Sequence, residues 1–295
     1  MKKALFFLFS LVFTIFFAIL VFGADISVVD ENGVEYGHSS YTFYLPSHIS
    51  PSEVKFNLAS YVDLSYSNLS GEQIKINNGD TIDVAPYKTV FGDSVAYALN
   101  AKYNDADYYF IFRFANSLPS VNIETTLSPN DIMKYEIKDE SVKTTIIDNN
   151  GEIIHSDSIY GGQLKVRGNA TAAYAKKPFQ LKLTEKADLF GMGSDKTWLL
   201  LANYDDQSLL RNSIMYELGK FLGMKTTDFI SVDLFINGEY YGVYLLCEKV
   251  EIDAPRVDIF DLEEANDLLN AEYLQYAKVV NSGALINSCA LLEYR

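Results

Sequence analysis

At 295 residues and 48% hydrophobic, the chain is long enough for one large or two ordinary domains with sizeable cores, and too apolar to be disordered. Its 24 Lys and Arg against 39 Asp and Glu leave a formal charge of −15, which excludes a general nucleic-acid or anionic-membrane binder, since both need net positive faces. A local basic pocket stays compatible with that balance.

Taken in order, the chain opens with Lys2-Lys3, an apolar run from Ala4 to Phe22 and then Gly23-Ala24, the layout of a secretory signal over residues 1–24. The run nearly spans a bilayer, so an uncleaved anchor is the alternative; either way the expected location is secreted or cell-surface. From 25 to 121 short alternating runs rich in Tyr, Phe, Val and Ile are broken by turn residues such as Asn78-Gly79 and Ser50-Pro51. This reads as a β-rich, sandwich-like domain. Its tyrosines suit either cross-strand packing or contact with a carbohydrate or protein.

The runs NSLP (116–119) and LSPN (127–130) mark a boundary, and a second domain is placed over 122–295. Strands follow, joined at Asn149-Asn150-Gly151 and Gly161-Gly162. Asp148 to Gly151 lacks the spacing of a calcium loop. His38, His48 and His155 are scattered and there is no Cys-x-x-Cys, which makes a zinc site improbable. Cys247 and Cys289 are either a disulfide of an exported protein or two buried thiols.

Residues 163–251 concentrate chemistry. In PFQLKL (178–183) alternation puts Phe179, Leu181 and Leu183 on one face and Gln180 with Lys182 on the other. Before it lies GNATAAYAKK, a small-residue loop whose amides can approach an anion. Lys165, Arg167, Lys176, Lys177, Lys182, Lys186 and Lys196 gather positive charge in an acidic protein, as a polyphosphate site requires. A helix is predicted after Asp205-Asp206, ending near Gly223, with Leu210, Ile214, Met215, Leu218, Phe221 and Leu222 as one apolar stripe. Arg211 falls inside that stripe, so burial of the stripe would oblige it to find a carboxylate, phosphate or carbonyl partner, as a structural ion pair or a functional clamp. Asn237-Gly238 predicts a hairpin turn between two further strands.

The ordered run KVRGNAT, KKPFQLKL, GMGSDKTWLLLANYDDQSLLRN, ELGKFLGM, VDLFINGEYYGVYLLCEKVEI and RVDI resembles the spore-coat protein H (CotH) kinase family, an atypical protein-kinase-like group, over about Leu118 to Leu292. Where relatives carry an aromatic soon after the RGN motif, this chain has Ala172. The resemblance implies an α+β fold: a β-sandwich-like domain followed by the N-lobe and hinge of a kinase-like domain, binding ATP with Mg²⁺ or Mn²⁺. By kinase analogy it makes Lys182 the phosphate-holding lysine and Glu217 its partner on the helix. It also makes Arg167, Gly168, Lys177 and Gln180 part of the nucleotide loop and strand, and Leu246 and Glu248 the approach to the hinge. The choice of Lys182 over Lys177 rests on the alternation above.

The family's catalytic Asp and metal-binding Asp segments are expected beyond Arg295, so the chain is expected to be incomplete at its C-terminus and no catalytic or metal residue is assigned within it. Asp261, Glu263, Glu264 and Asp267 read as a solvated helical face. The implied function is phosphorylation of Ser or Thr on surface or coat proteins by the full-length form. The alternatives are a non-catalytic surface binding or adhesion module, of pseudokinase type, and a structural coat component.

Overall fold

The computed structural model describes residues 25–250 apart from 92, 93, 116, 135 and 136; the predicted signal, Cys289 and the acidic run after 251 lie outside them. The first part is built from β1 (Ile26–Val29), β2 (Glu35–Tyr36), β3 (His38–Ser39), β4 (Thr42–Leu45), β5 (Val54–Leu58), β6 (Leu64–Ser67), β7 (Gln73–Ile76), β8 (Thr81–Ile82), β9 (Lys88–Phe91), β10 (Ser94–Tyr103) and β11 (Ala106–Phe114). One sheet has the order β2-β1-β5-β8; the other runs β3-β4-β11-β10-β6-β7, with β9 also paired to β10. Side chains of alternate residues meet between them, and Phe43, Phe56, Phe110 and Phe112 are fully buried there. Phe43 stacks on Phe112 at 5.0 Å and Phe56 meets Phe112 edge-on at 6.1 Å.

The second part contains β12 (Ser120–Glu124), α1 (Pro129–Ile132), β13 (Lys138–Ile147), β14 (Ile153–Ser156), β15 (Gly162–Val166), β16 (Phe179–Asp188), β17 (Ser194–Leu201), α2 (Arg211–Phe221), β18 (Phe229–Ile236) and β19 (Glu239–Glu248). Its strands follow β12-β18-β19-β17-β16-β15-β13-β14, and β12 pairs with β13 as well. That last pairing, with Val121 opposite Ile146, closes seven strands into a barrel and leaves β14 outside it. The interior is filled from every strand: Val121, Leu164, Leu181, Trp198, Val232 and Leu246 all point inward.

The closure corrects the expected α+β kinase-like N-lobe and hinge. The described residues hold nineteen strands and only two α-helices, one of them four residues long. An open lobe needs a helical layer to cover its sheet. Here the sheet covers itself, and the alternating residues that looked like one face of an open sheet are the lining of a barrel. Residues 245–248, expected to lead to a hinge, are instead paired to β17, and Leu245 to Cys247 are paired to β18 as well.

The two parts share an interface. The β18–β19 hairpin turns at Asn237 and Gly238, with φ of 49° and 76°, and delivers Phe235 and Tyr240 into the aromatic core of the first part. Gly238 is required there twice: for its φ, and because a Cβ would lie 2.8 Å from the Glu35 carbonyl oxygen. Gly37 N–H donates to the Gly238 carbonyl at 3.0 Å, and the buried His48–Asp30 pair, 2.9 Å apart, lies under the same junction, with Tyr36 donating to Asp30 at 3.3 Å. Among the described residues no helix is long and apolar enough to cross a membrane.

Candidate functional site

Between β15 and β16 the chain makes the loop 167–178. Its base is closed by the Arg167 N–H donating to the Pro178 carbonyl at 3.0 Å. Gly168 has φ +91°, a conformation L side chains avoid, and a Cβ there would collide with Thr171 Oγ1. The following turn, Ala170–Ala173, presents the Ala172 carbonyl, which accepts from Lys177 Nζ at 2.7 Å.

Lys176 reaches the neighbouring strand. Its ammonium lies 4.4 Å from the centre of the Tyr244 ring and donates to the Val243 carbonyl, while the Tyr244 hydroxyl donates back to the Lys177 carbonyl at 2.9 Å. Burial lowers the Lys176 pKa from 10.5 to about 8. Tyr174 stacks on Tyr204 at 5.2 Å, and its hydrogen bond to Asp205 raises its pKa. The loop is thus tied to β19 on one side and to the segment before α2 on the other.

On β16, Phe179, Leu181 and Leu183 fill the barrel, and Gln180 and Lys182 face outward. Lys182 is exposed between Gln163 of β15 and Thr197 of β17; Gln180 sits between Lys165 and Leu199. Among the described residues neither Lys165, Arg167, Lys176, Lys177 nor Lys182 forms an ion pair, whereas Lys75, Lys134, Lys138 and Lys220 each have a carboxylate within 4.0 Å. Carbonyl oxygens and a ring face hold Lys176 and Lys177 without neutralising them.

Helix α2 borders this group. Burial raises the Tyr216 pKa, with Cys247 adding to the rise and the Arg167 charge opposing it, which puts Tyr216, Cys247 and Arg167 in one neighbourhood. The helix docks through Tyr216, 5.7 Å from Phe229, through Gly219 packed on Thr226, and through Lys220, 2.5 Å from Asp228. Its first turn is capped from upstream: Asp206 accepts from Arg211 N–H at 2.8 Å and from Ser208 Oγ at 2.6 Å.

Four placements depart from the sequence reading. Arg211 does not sit in a desolvated stripe: its side chain is 76% exposed, with Nε 3.6 Å from Asp206, because the helix docks on its opposite side. Leu246 lies in the barrel interior, where its side chain meets no ligand, since alternation along β19 turns it inward with Tyr244. Glu248 is buried and accepts from the Asp228 N–H at 2.9 Å, a tie between strands. Glu217 meets Lys220 at 3.3 Å and forms no ion pair with Lys182. Arg167, Gly168, Lys177, Gln180 and Lys182 cluster on the loop and the strand it feeds.

Tyr244 and Gly242 were missed. Gly242, with φ +99°, leaves room for Lys176, whose Cε would lie 3.5 Å from a Cβ there. A glycine inside a strand pattern signals such a close approach. The buried carboxylate of Asp157 was also unread: it accepts from Thr144 N–H at 3.0 Å, Thr184 N–H at 3.1 Å, the Thr184 hydroxyl and His155 Nε2, which ties β13 to β16.

Residues 164–284 match the family model described as CotH kinase protein. Over this stretch the chain is similar to the CotH kinase protein family. A search of curated proteins returns no match. The CotH segment begins inside β15 and takes in the loop, β16, β17, α2, β18 and β19, so Lys165, Arg167, Lys176, Lys177, Lys182 and Lys220 all fall in it. Similarity to a kinase-like family suggests nucleotide and substrate as partner classes. The unpaired cations suit the phosphates of a nucleotide. Among the described residues no group of three His, Cys, Asp or Glu is set to hold a metal ion, so no metal-dependent step is derived from them.

Proposed function

We propose that the CotH segment binds a nucleoside triphosphate through the 167–178 loop and the outer face of β16, in an exported protein whose full-length form transfers phosphate to Ser or Thr of surface or coat proteins. One observation carries the binding step: Lys176 and Lys177, held by carbonyls and an aromatic ring, lie on the same loop and strand as Arg167 and the exposed Lys182, and none of the four has an ion pair among the described residues of a chain of net charge −15. Such a set attracts polyphosphate, and Lys supplies it as a point charge. Similarity to the family supports the kinase-like reading. Export rests on the composition of residues 1–24.

The test is nucleotide binding by the purified chain, measured by equilibrium dialysis with ATP. Lys182→Ala should weaken binding about tenfold or more, as expected for loss of a charge-assisted contact. Unchanged affinity in that variant and in Lys177→Ala would refute the loop as the phosphate site.

A further inference from the structure

The seam between the sandwich and the barrel holds a buried acid that no cation pairs among the described residues. Asp233 of β18 is 1% exposed, and alternation explains where it points: Val232, Leu234 and Ile236 fill the barrel, so Asp233 and Phe235 face out of it toward the first part. One carboxylate oxygen accepts from the Tyr240 hydroxyl at 2.7 Å; the other has no hydrogen-bond partner among the described residues. Burial with a single donor favours the neutral form, and it raises the Asp233 pKa, with the Tyr240 hydrogen bond opposing the rise.

The neighbours on β12 are acceptors too. β12 lies parallel beside β18 with Ser120 opposite Asp233, and Asn122, two residues on, is on the same outward face. Asn122 Nδ2 donates to Ser120 Oγ at 3.0 Å and to the Thr145 carbonyl at 3.3 Å, while its Oδ1 is buried without a donor. An ionised carboxylate and an amide oxygen only accept, so neither can satisfy the other; a carboxylic acid can donate. The titratable groups packed around Asp233 supply no positive charge. Tyr240 of β19 stacks on Tyr44 of β4 at 5.0 Å, and Tyr36 of β2 meets Phe235 edge-on at 5.0 Å. Burial and the Asp233 charge push the Tyr240 hydroxyl far above its ordinary range, so it keeps its proton and remains a donor. His48 is engaged with Asp30, and the exposed acids Glu35 and Glu239 border the hairpin tip. Among the described residues no Lys, Arg or His lies within 4.0 Å of the Asp233 carboxylate.

Asp233 and Tyr240 belong to the β18–β19 hairpin that inserts Phe235 and Tyr240 into the sandwich core, so the state of the carboxyl acts on the junction itself. We infer that Asp233 is an acid-closed latch between the two parts: with its carboxyl neutral the hairpin seats in the sandwich, and ionisation as the pH rises loosens the seat. By linkage, a carboxyl that holds its proton more tightly in the fold than in the unfolded chain contributes its full stability below the ordinary 3.8, and that contribution is lost as the pH climbs through the higher folded value.

Carbon-13 NMR of the full chain labelled at aspartate tests this, with the Asp233 carboxyl identified by its loss in Asp233→Asn. Its titration midpoint should lie above the ordinary 3.8, and Tyr240→Phe, which removes the one donor to the carboxylate, should move it higher still. A midpoint at or below 3.8, as a carboxylate bridged by buried water would give, overturns the inference. Amide exchange at Gly37, whose N–H reaches the Gly238 carbonyl across the junction, reads the latch itself. Its protection should fall severalfold as the pH rises through that midpoint in the wild type and stay level in Asp233→Asn, which carries a neutral side chain at every pH. Protection that stays level in the wild type, or that falls equally in Asp233→Asn because His48 and Asp30 carry the response, would remove Asp233 from the role.

Discussion

Strand β16 and helix α2 are both amphipathic, and they dispose of their apolar faces in opposite ways. β16 sends Phe179, Leu181 and Leu183 into the barrel and holds Lys182 and Gln180 outside. α2 turns its polar side, with Gly219 and Lys220, toward the barrel and leaves Phe221 and its neighbours outward. The difference follows from closure. A barrel provides its strands with a common interior, so an alternating strand has one place for its apolar residues, whereas a helix on the outside takes whichever neighbour the connecting loops bring. Here the short 222–228 connection fixes Thr226 against Gly219 and Asp228 against Lys220, and the apolar stripe is left for another partner.

The largest effect should come from the strand. Leu181→Ala removes a fully buried barrel side chain and should cost about 2–5 kcal/mol in urea unfolding. A loss under about 1 kcal/mol would mean that the barrel interior is not the main core. Next is the docked side of the helix: Gly219→Val puts a branched side chain onto Thr226 and should cost about 1–3 kcal/mol, with Thr226→Ser in the same chain restoring part of it. Failure of that rescue would mean that α2 does not approach the 222–228 connection as closely as described.

Phe221→Ala sharpens the comparison most directly. At an 86% exposed position unfolding should shift by no more than about ±0.5 kcal/mol, and a loss beyond about 1 kcal/mol would mean that the stripe is covered.

A smaller effect is expected from Lys176. Its folded pKa, about 8, lies below the ordinary 10.5, so between those values the unfolded chain binds more protons and stability rises with pH. Below about pH 8 both states are charged and the desolvation penalty is carried in full. Unfolding midpoints of the wild type should therefore climb from pH 8 toward 10 relative to those of Lys176→Met, and parallel profiles would show that Lys176 is not desolvated. Lys182→Ala should be the mildest, within about ±0.5 kcal/mol in stability, because an outward lysine without an ion pair carries no packing. Its signature belongs to nucleotide affinity.

The site was partly legible in the sequence. The loop and β16 could be read because both depend on local rules: a glycine at φ +91°, small residues that permit a tight turn, and a period of two that separates Lys182 from Leu181. Arg211 and Leu246 could not, since each depends on which surface packs against which. Tyr244 was hidden for the same reason: its ring is the floor under Lys176 only because β19 lies across from the loop.

By itself the sequence determined the alternating strands, the Asn237-Gly238 turn, the helix near 211–221 with its stripe, the cation-rich loop and the resemblance to the CotH family. Only the tertiary structure decided that β12 returns to β13 and closes the sheet, that α2 docks through Tyr216 and Gly219, and that carbonyls and a tyrosine ring hold the loop cations. Periodicity states which side chains share a face, because that is a property of the backbone. The neighbour that takes the face is set by long-range pairing such as Val121 with Ile146, and no local pattern carries that information.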